Sequence, residues 1–176
     1  MNPNNNPRIL IQTQLGNIHV ELFVQQAPIT VQNLLRYVEE ERFSQAVFHR
    51  TVRMDNQPNN VHKIEVIQGG LRDDDHPLSL PPIPHETTQQ TGILHTNGTL
   101  SMARNEPGTA SSDFFICIGD QPELDFEGRR NPDGQGFAAF GRVVEGMHVV
   151  HKIHNSPARE QTLEPGIPIQ RIIIVE

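Results

Sequence analysis

Cysteine is nearly absent from this sequence, because Cys117 is the only one among 176 residues. A single thiol excludes an internal disulfide and a cysteine-rich zinc site. Runs of basic residues are missing too, and the formal net charge is −7. Since nucleic-acid binders need a basic patch, nucleic acid is not expected as a partner. A helix that crosses a bilayer needs a run of about 18 apolar residues. No stretch of this sequence approaches that length, so no membrane partner is expected either.

Sequence motifs of several enzyme classes are missing as well. There is no glycine-rich dinucleotide fingerprint. Ser101, Ser111 and Ser112 lie outside the strand–turn–helix elbow that exposes a nucleophilic serine. No Ser-His-Asp arrangement can be read from the sequence, and this disfavours a small β-barrel hydrolase.

Two groups of potential metal ligands lack the spacing of known metal sites. Residues 73–76, Asp-Asp-Asp-His, lack the glycine and the closing glutamate of a calcium loop. His148, His151 and His154 have no carboxylate or thiolate at matching spacing. We therefore predict a solvated acidic loop and helix-surface histidines, and neither a metal nor another cofactor.

The amino-terminal residues differ in composition from the rest of the chain. Residues 1–7 are rich in Asn and Pro, which predicts a disordered lead-in. They also lack the apolar segment of a secretory signal, so the cytoplasm is the expected location, with the periplasm possible if a signal segment was removed. We predict one domain over residues 8–176, since a chain of this length can bury a full core.

The remaining sequence favours a β-rich fold with many turns. It contains 14 prolines and 13 glycines, which are typical of turns. Eight segments show the apolar runs or two-residue alternation of β-strands. These predicted strands cover residues 8–14, 18–23, 48–52, 63–68, 98–103, 114–118, 137–144 and 169–175.

Two segments show helical spacing instead. Val31, Leu34, Leu35 and Val38 predict a helix over residues 31–40, with Thr30 as its N-cap. A second, shorter helix is predicted over residues 146–154. Between the predicted strands, residues 71–92 form a long irregular segment without helical periodicity. Many short strands and two separated helices predict a mainly β fold, a closed β-barrel capped by two α-helices.

One predicted strand carries an unusual charge. Arg50 lies between Phe48 and Val52, and strands that pack on a core rarely carry a cation unless it is paired or functional. Arg50 could lie on the solvent face of a half-buried strand, or it could serve a site together with Gln68 of the next strand. The residues taken one at a time leave both interpretations open.

Several short motifs, taken together and in order, resemble the cyclophilin family of peptidyl-prolyl cis/trans isomerases. The resemblance extends from about residue 9 to residue 175, and it implies an eight-stranded antiparallel β-barrel with two capping helices. The motifs are Phe48-His49-Arg50, Ile67-Gln68-Gly69-Gly70, Gly98-Thr99-Leu100-Ser101-Met102-Ala103, Asp113-Phe114-Phe115-Ile116, Leu124-Asp125, Phe140-Gly141-Arg142-Val143 and Val144-Glu145-Gly146-Met147.

The resemblance also implies roles for individual residues. Arg50 matches the catalytic arginine of the family, and Gln68 matches the glutamine that bonds the substrate backbone and supports that arginine. The residues at positions implied to bind substrate are Phe48, Glu65, Val66, Ala103, Asp113, Phe115, Leu124 and Phe137.

Three positions depart from the pattern of the family, and all three carry a carboxylate. Glu65 replaces an aromatic wall of the proline pocket and is expected to be able to pair with Arg50. Asp113 replaces a glutamine, and Glu123 replaces a tryptophan that supports cyclosporin binding. We therefore expect weak or no cyclosporin binding, reduced turnover of short uncharged peptides, and a preference for basic residues near the proline.

Two functions follow from the resemblance. The first is a peptidyl-prolyl isomerase, monomeric and without a cofactor, that acts on proline-containing peptides or protein clients and assists folding. The alternative is a catalytically weak cyclophilin-like module that binds proline peptides. Arg50, Gln68 and Phe115 favour the enzyme, whereas Glu65 and Asp113 favour the binding module.

Overall fold

The computed structural model describes residues 5–175, which form one antiparallel sheet with three α-helices. The strands are β1 (Arg8–Thr13), β2 (Gly16–Leu22), β3 (Val47–Val52), β4 (Val66–Gly70), β5 (Thr99–Met102), β6 (Phe114–Cys117), β7 (Ala138–Glu145), β8 (Ala158–Arg159) and β9 (Thr162–Val175). The helices are α1 (Pro28–Glu39), α2 (Thr88–Thr91) and α3 (Met147–His154), and a 3₁₀ turn covers Pro122–Leu124.

The sheet closes on itself. Its strand order is β1-β2-β7-β5-β6-β4-β3-β9, and β9 returns to pair with β1. The remaining strand, β8, has only two residues, and it pairs with β9 outside this ring of eight strands. The predicted closed, eight-stranded antiparallel barrel is therefore confirmed. Closure gives each long strand two neighbours, so that its backbone groups are paired on both sides.

Apolar side chains from alternate strand positions fill the barrel. In β1 the burial alternates, with Ile9 and Ile11 almost fully buried, as expected for a strand with one face on a core. Phe48 and Phe114 meet edge to face at 5.9 Å between ring centroids, a preferred aromatic geometry. Burial of this interior removes apolar surface from water, which is the main favourable contribution to folding.

Helix α1 begins earlier than predicted. Its first residue is Pro28, and the preceding Ala27 has no capping side chain. Thr30 is inside the helix, where its backbone amide and its hydroxyl donate to Oε1 of Glu86 at 2.7 and 2.6 Å. The predicted N-cap role of Thr30 is therefore wrong, because a carboxylate 56 residues away satisfies the first helical amides.

The segment predicted to be irregular contains the short helix α2. Thr87 Oγ1 accepts from the amide of Gln90 at 3.2 Å, and Gln90 Oε1 accepts from the amide of Thr87 at 3.0 Å. This capping box precedes Gly92, which ends the helix with φ 76°. The Thr-x-x-Gln pattern was the available sequence signal for a helix start.

Strand β4 extends through the two glycines that were predicted to end it. A Cβ on Gly69 would lie 2.7 Å from Cδ1 of Phe48. The absence of a side chain at Gly69 therefore lets β4 lie against the aromatic ring on β3. The glycines continue the strand because close packing requires them there.

The start of the described chain is held on the barrel. Asn6 is buried and its Nδ2 donates to Oε1 of Glu21 at 3.1 Å, while the carbonyl of Pro7 accepts from the amide of Leu22 at 2.9 Å. The predicted disorder is therefore wrong for residues 6 and 7, and residues 1–4 lie outside the described part. Within residues 5–175, no helix is long and apolar enough to span a bilayer.

Candidate active site

A bulge in β3 directs Arg50 away from the barrel interior. Phe48 pairs with Gly69, whereas Arg50 pairs with Gln68, so the register shifts between Phe48 and Arg50. In a regular strand, residues two positions apart face the same side of the sheet, so without the shift Arg50 would point into the barrel with Phe48. The bulge therefore allows Phe48 to be fully buried while Arg50 is only partly buried at the barrel surface.

Eight of the ten predicted site residues line one surface cavity of about 390 Å³. The cavity opens on the side of the barrel formed by β3, β4 and β6, and the loop after β3 contributes Asn60 and Ile64 to its wall. The eight residues are Arg50, Gln68, Val66, Ala103, Asp113, Phe115, Leu124 and Phe137.

Two neutral amides hold the guanidinium of Arg50. Its Nη1 donates to Oε1 of Gln68 at 2.9 Å, and its Nε and Nη2 donate to Oε1 of Gln161 at 3.0 and 2.7 Å. Burial lowers the pKa of Arg50, and the nearby charge of Arg130 lowers that pKa further. An arginine nevertheless stays protonated in proteins, so Arg50 is a fixed, partly desolvated donor.

Gln161 was missed by sequence reasoning. It lies in the turn between β8 and β9, 111 residues from Arg50, and nothing in its local sequence marks it. Its Nε2 donates to the carbonyl of Asn56 at 3.0 Å, which orients its oxygen towards Arg50. Gln161 is therefore a positioning residue for Arg50.

Gln161→Ala should lower kcat by about threefold to tenfold, since two hydrogen bonds to a cation are lost, and should leave KM for an Ala-Pro peptide nearly unchanged. Magnetisation-exchange NMR at several peptide concentrations separates the two constants. Gln170→Ala, on the exposed face of β9, is the matched control. An equal loss in both variants, or a change in KM alone, would contradict the positioning role.

A chain of hydrogen bonds continues from Arg50 through Gln68 to Asp113. Nε2 of Gln68 donates to Oδ2 of Asp113 at 2.9 Å, which leaves the amide oxygen of Gln68 facing Arg50. His49 also contacts Oδ2 of Asp113, at 2.8 Å, and the amide of Arg72 donates to its Oδ1 at 2.9 Å. Burial would raise the pKa of Asp113, but the hydrogen bonds from His49 and Gln68 outweigh it and keep that pKa below its usual value. The ionised carboxylate therefore fixes the orientation of the Gln68 amide.

Aromatic rings form the apolar wall of the cavity. Phe115 and Phe137 meet edge to face, with centroids 5.4 Å apart. The guanidinium carbon of Arg104 lies 4.9 Å from the centroid of Phe137, within cation–π distance. Leu124 and Val66 complete a small buried cluster with Phe115. A flat ring of proline size can pack on such a surface beside a fixed donor.

Comparison with known proteins identifies the family. A family model described as "Cyclophilin type peptidyl-prolyl cis-trans isomerase/CLD" matches residues 8–174. This chain belongs to the cyclophilin family. It is 33% identical over 171 residues to a peptidyl-prolyl cis-trans isomerase of Acinetobacter baylyi, covering 97% of this chain and 84% of the relative. It is 31% identical to peptidyl-prolyl cis-trans isomerase B of Escherichia coli, covering 94% and 95%.

Solved structures show the same fold. A cyclophilin-type isomerase of Cryptosporidium parvum, crystallised in the presence of the dipeptide Ala-Pro, aligns with a TM-score of 0.75 at 22% identity. The alignment covers 96% of this chain and 99% of the other. A second structure of that protein aligns with a TM-score of 0.73.

Two predicted site residues of this cyclophilin lie outside the cavity. Phe48 is fully buried in the barrel interior. Glu65 precedes β4 and directs its Oε2 towards Nε2 of His154, 3.6 Å away, and it does not line the cavity. Placing Phe48 and Glu65 in the substrate site was therefore incorrect. His154, predicted to be a surface residue, is buried and also contacts the carbonyl of Val52.

The cyclophilin barrel brings together a Ser-His-Asp chain that the sequence did not reveal. Nδ1 of His95 contacts Oδ1 of Asp125 at 2.8 Å, and its Nε2 contacts Oγ of Ser101 at 2.8 Å. Burial lowers the pKa of His95, and this effect is larger than the opposing effect of Asp125, which raises that pKa. The ring is therefore neutral, and its Nε2 accepts from the hydroxyl of Ser101. Ser101 is 0% exposed, and substrate therefore cannot reach it. His95 instead stacks under Phe115, with ring centroids 5.9 Å apart.

The potential metal ligands of the described residues do not cluster. Within residues 5–175, no group of three or more His, Cys, Asp or Glu side chains could hold a metal ion. His148 and His151 on α3 are exposed, whereas His154 is buried. That the protein binds no metal, as expected from its sequence, remains a prediction for the whole chain.

Proposed function

We propose that this peptidyl-prolyl isomerase accelerates rotation about X–Pro bonds of protein clients by directing the guanidinium of Arg50 at the prolyl nitrogen. One observation carries the proposal: Arg50, held by Gln68 and Gln161, shares a single cavity with the apolar wall of Phe115, Leu124 and Phe137. A donor and a proline-sized apolar surface are the two elements that the reaction requires.

The chemistry of the reaction explains why these two elements are sufficient. Rotation about the peptide bond costs about 18–20 kcal/mol, because amide resonance must be broken. In the twisted state the prolyl nitrogen regains a lone pair, which can accept a hydrogen bond that the planar forms cannot accept. A preoriented donor therefore binds the twisted state more tightly than either planar form, and that difference lowers the barrier. No covalent step and no proton transfer are needed.

Gln68 contributes in two ways. Its oxygen accepts from Arg50 and one of its amide hydrogens is directed at Asp113. The side-chain amide has two hydrogens, so the second is available for a substrate carbonyl. Gln68 can therefore hold Arg50 and bond the substrate backbone at the same time.

We also propose that the enzyme acts in the cytoplasm as a monomer and assists the folding of its clients. Periplasmic location is the alternative. Fractionation of cells that express the tagged full chain, together with light scattering of the purified protein, tests location and oligomeric state.

Cyclosporin should bind weakly or not at all, and more weakly than it binds a cyclophilin that has the family's tryptophan at the position of Glu123 and is measured in parallel. At the position where the family often has tryptophan, Glu123 contacts Nε of Arg129 at 2.7 Å and Nδ1 of His62 at 3.1 Å. A charged cluster therefore replaces an apolar contact, and its desolvation disfavours an apolar ligand. Isothermal titration measures the affinity, and an equal affinity for both proteins would contradict the expectation.

The isomerase activity itself is tested by magnetisation-exchange NMR on a short Ala-Pro peptide, without a coupled protease. A catalysed exchange rate proportional to enzyme concentration supports the proposal. The absence of catalysed exchange, with the fold intact by circular dichroism, would favour the alternative of a proline-binding module. Glu65 no longer supports that alternative, since it faces His154.

A further inference from the structure

Three arginines that line the active-site cavity have no carboxylate within ion-pair distance in the described part of the chain. Arg50, Arg72 and Arg130 all face the cavity, yet none forms an ion pair with any residue in the range 5–175. Arg50 is held by two glutamines. Arg130 donates from Nη1 to Oε1 of Gln57 at 2.8 Å and to the carbonyl of His62 at 3.0 Å.

The two carboxylates of the cavity wall are already bonded. Asp113 accepts from Gln68 and from the amide of Arg72, and it also contacts His49. Oδ1 of Asp74 accepts from the hydroxyl of Ser111 at 3.1 Å. The wall contains four arginines and two aspartates, so the cavity has an excess of positive charge.

Two of the three acidic residues that predicted a basic substrate lie elsewhere, whereas the third, Asp113, lines the cavity. Glu65 faces His154, and Glu123 contacts Arg129 and His62; neither lines the cavity. A fourth arginine, Arg104, does line it and is paired with Asp133 at 2.9 Å. The predicted preference for basic residues near the proline therefore rests on Asp113 alone, and that carboxylate is already bonded to Gln68, His49 and the amide of Arg72.

We propose that the preferred substrates carry an aspartate or glutamate within a few residues of the proline, bound by Arg72 and Arg130. This proposal rests on the proposed isomerase function and specifies its substrate class. A carboxylate is the natural partner of a guanidinium, because the planar fork donates two parallel hydrogen bonds. A lysine in the same place would meet three cations.

The positive charge of the cavity contrasts with the net charge of the whole protein. The chain has a formal net charge of −7, so most of its surface repels acidic peptides. A positive cavity in an acidic protein attracts acidic residues only at the site, where the low dielectric of the wall strengthens the interaction. We therefore expect a preference for an acidic residue beside the bound proline, and no general affinity for acidic chains.

The test compares peptides that differ in one residue next to the proline. Two series, Ala-Ala-X-Pro-Ala-Ala and Ala-Ala-Ala-Pro-X-Ala, each with X as Glu, Gln or Lys, are measured by magnetisation-exchange NMR. In at least one series kcat/KM should be about fivefold or more higher for Glu than for Gln, and lower for Lys than for Gln. The ratio of Glu to Gln should shrink at high salt, because salt screens the pair.

Variants connect the preference to the two arginines. In Arg72→Gln and Arg130→Gln the ratio of Glu to Gln should fall towards one, whereas Arg130→Lys should retain most of it because the charge is kept. Arg171→Gln, an exposed change outside the cavity, removes the same charge and should leave the ratio unchanged. A loss of the ratio in Arg171→Gln as well would overturn the assignment to these arginines.

The outcomes distinguish this proposal from the proposed function. Catalysed exchange with equal rates for Glu, Gln and Lys peptides overturns the substrate class and leaves the isomerase intact. If no peptide is turned over, the isomerase proposal fails, and NMR titration of the same peptides still decides the preference. Tighter binding of the Glu peptide supports it, and equal or weaker binding overturns it.

Discussion

Arg50→Ala should lower kcat/KM for an Ala-Pro peptide by at least about tenfold, and by up to about a thousandfold, since removal of one preoriented donor from an active site typically costs about a hundredfold to a thousandfold. The guanidinium is held by Gln68 and Gln161 before substrate arrives. Its contribution is therefore made mainly in the twisted transition state, and kcat should fall more than KM rises. Magnetisation-exchange NMR, at enzyme concentrations adjusted to the slower rate, measures both constants.

Two controls separate the loss of the donor from a loss of structure. Arg50→Lys keeps the charge but loses the planar fork, so it should recover only part of the rate. Arg159→Ala removes an exposed arginine of β8 that lies outside the cavity, and its activity should match the wild type. Full activity in Arg50→Ala, with an unchanged circular dichroism spectrum, would exclude Arg50 as the catalytic donor.

Gly70→Ala should both destabilise the barrel and reduce activity, although residue 70 does not line the cavity. Gly70 has φ 142°, a conformation that residues with a side chain rarely adopt. A Cβ there would collide with Oδ1 of Asp113 and lie 2.7 Å from its Cα. Backbone strain and overpacking together should cost about 3 kcal/mol of unfolding free energy, and the displaced Asp113 should release Gln68 from its fixed orientation.

Gly108→Ala is the matched control for Gly70→Ala. Gly108 also has a positive φ, 85°, but a Cβ there would meet no atom within 4 Å. It should cost only the backbone strain, about 1 kcal/mol, and should leave kcat/KM near the wild-type value. Urea unfolding and the peptide exchange rate, measured on both variants, check the prediction. Equal stability losses in the two variants would show that contact with Asp113 is unimportant.

Local patterns were sufficient to predict most of the barrel strands. Alternation and apolar runs depend only on residues close in sequence, and they marked strands such as β1 and β6 within about one residue. Helix α1 was predicted by its periodicity, but its start was not, because the cap of its first amides comes from Glu86. Helix α2 was missed although its capping box was present in the sequence.

The residues of the candidate site likewise include some that the sequence predicted and some that it did not. Arg50, Gln68 and Phe115 were found from the family motifs, and the closed sheet brings them to one cavity. Gln161 was not found, because its role depends on a contact across 111 residues. Glu65 was misplaced, since a position next to the site in the sequence does not decide to which side of the sheet its side chain points.

The sequence by itself determined the class of fold and the family, and it singled out Arg50 as the proposed donor, since these follow from local periodicity and from motifs in order. Tertiary structure alone decided the charge of the active site. Glu65 and Glu123 are directed to His154 and Arg129, whereas Arg72 and Arg130 come to the cavity from distant loops. Electrostatic energy depends on distance and on burial, and neither quantity can be obtained from the order of residues along a chain.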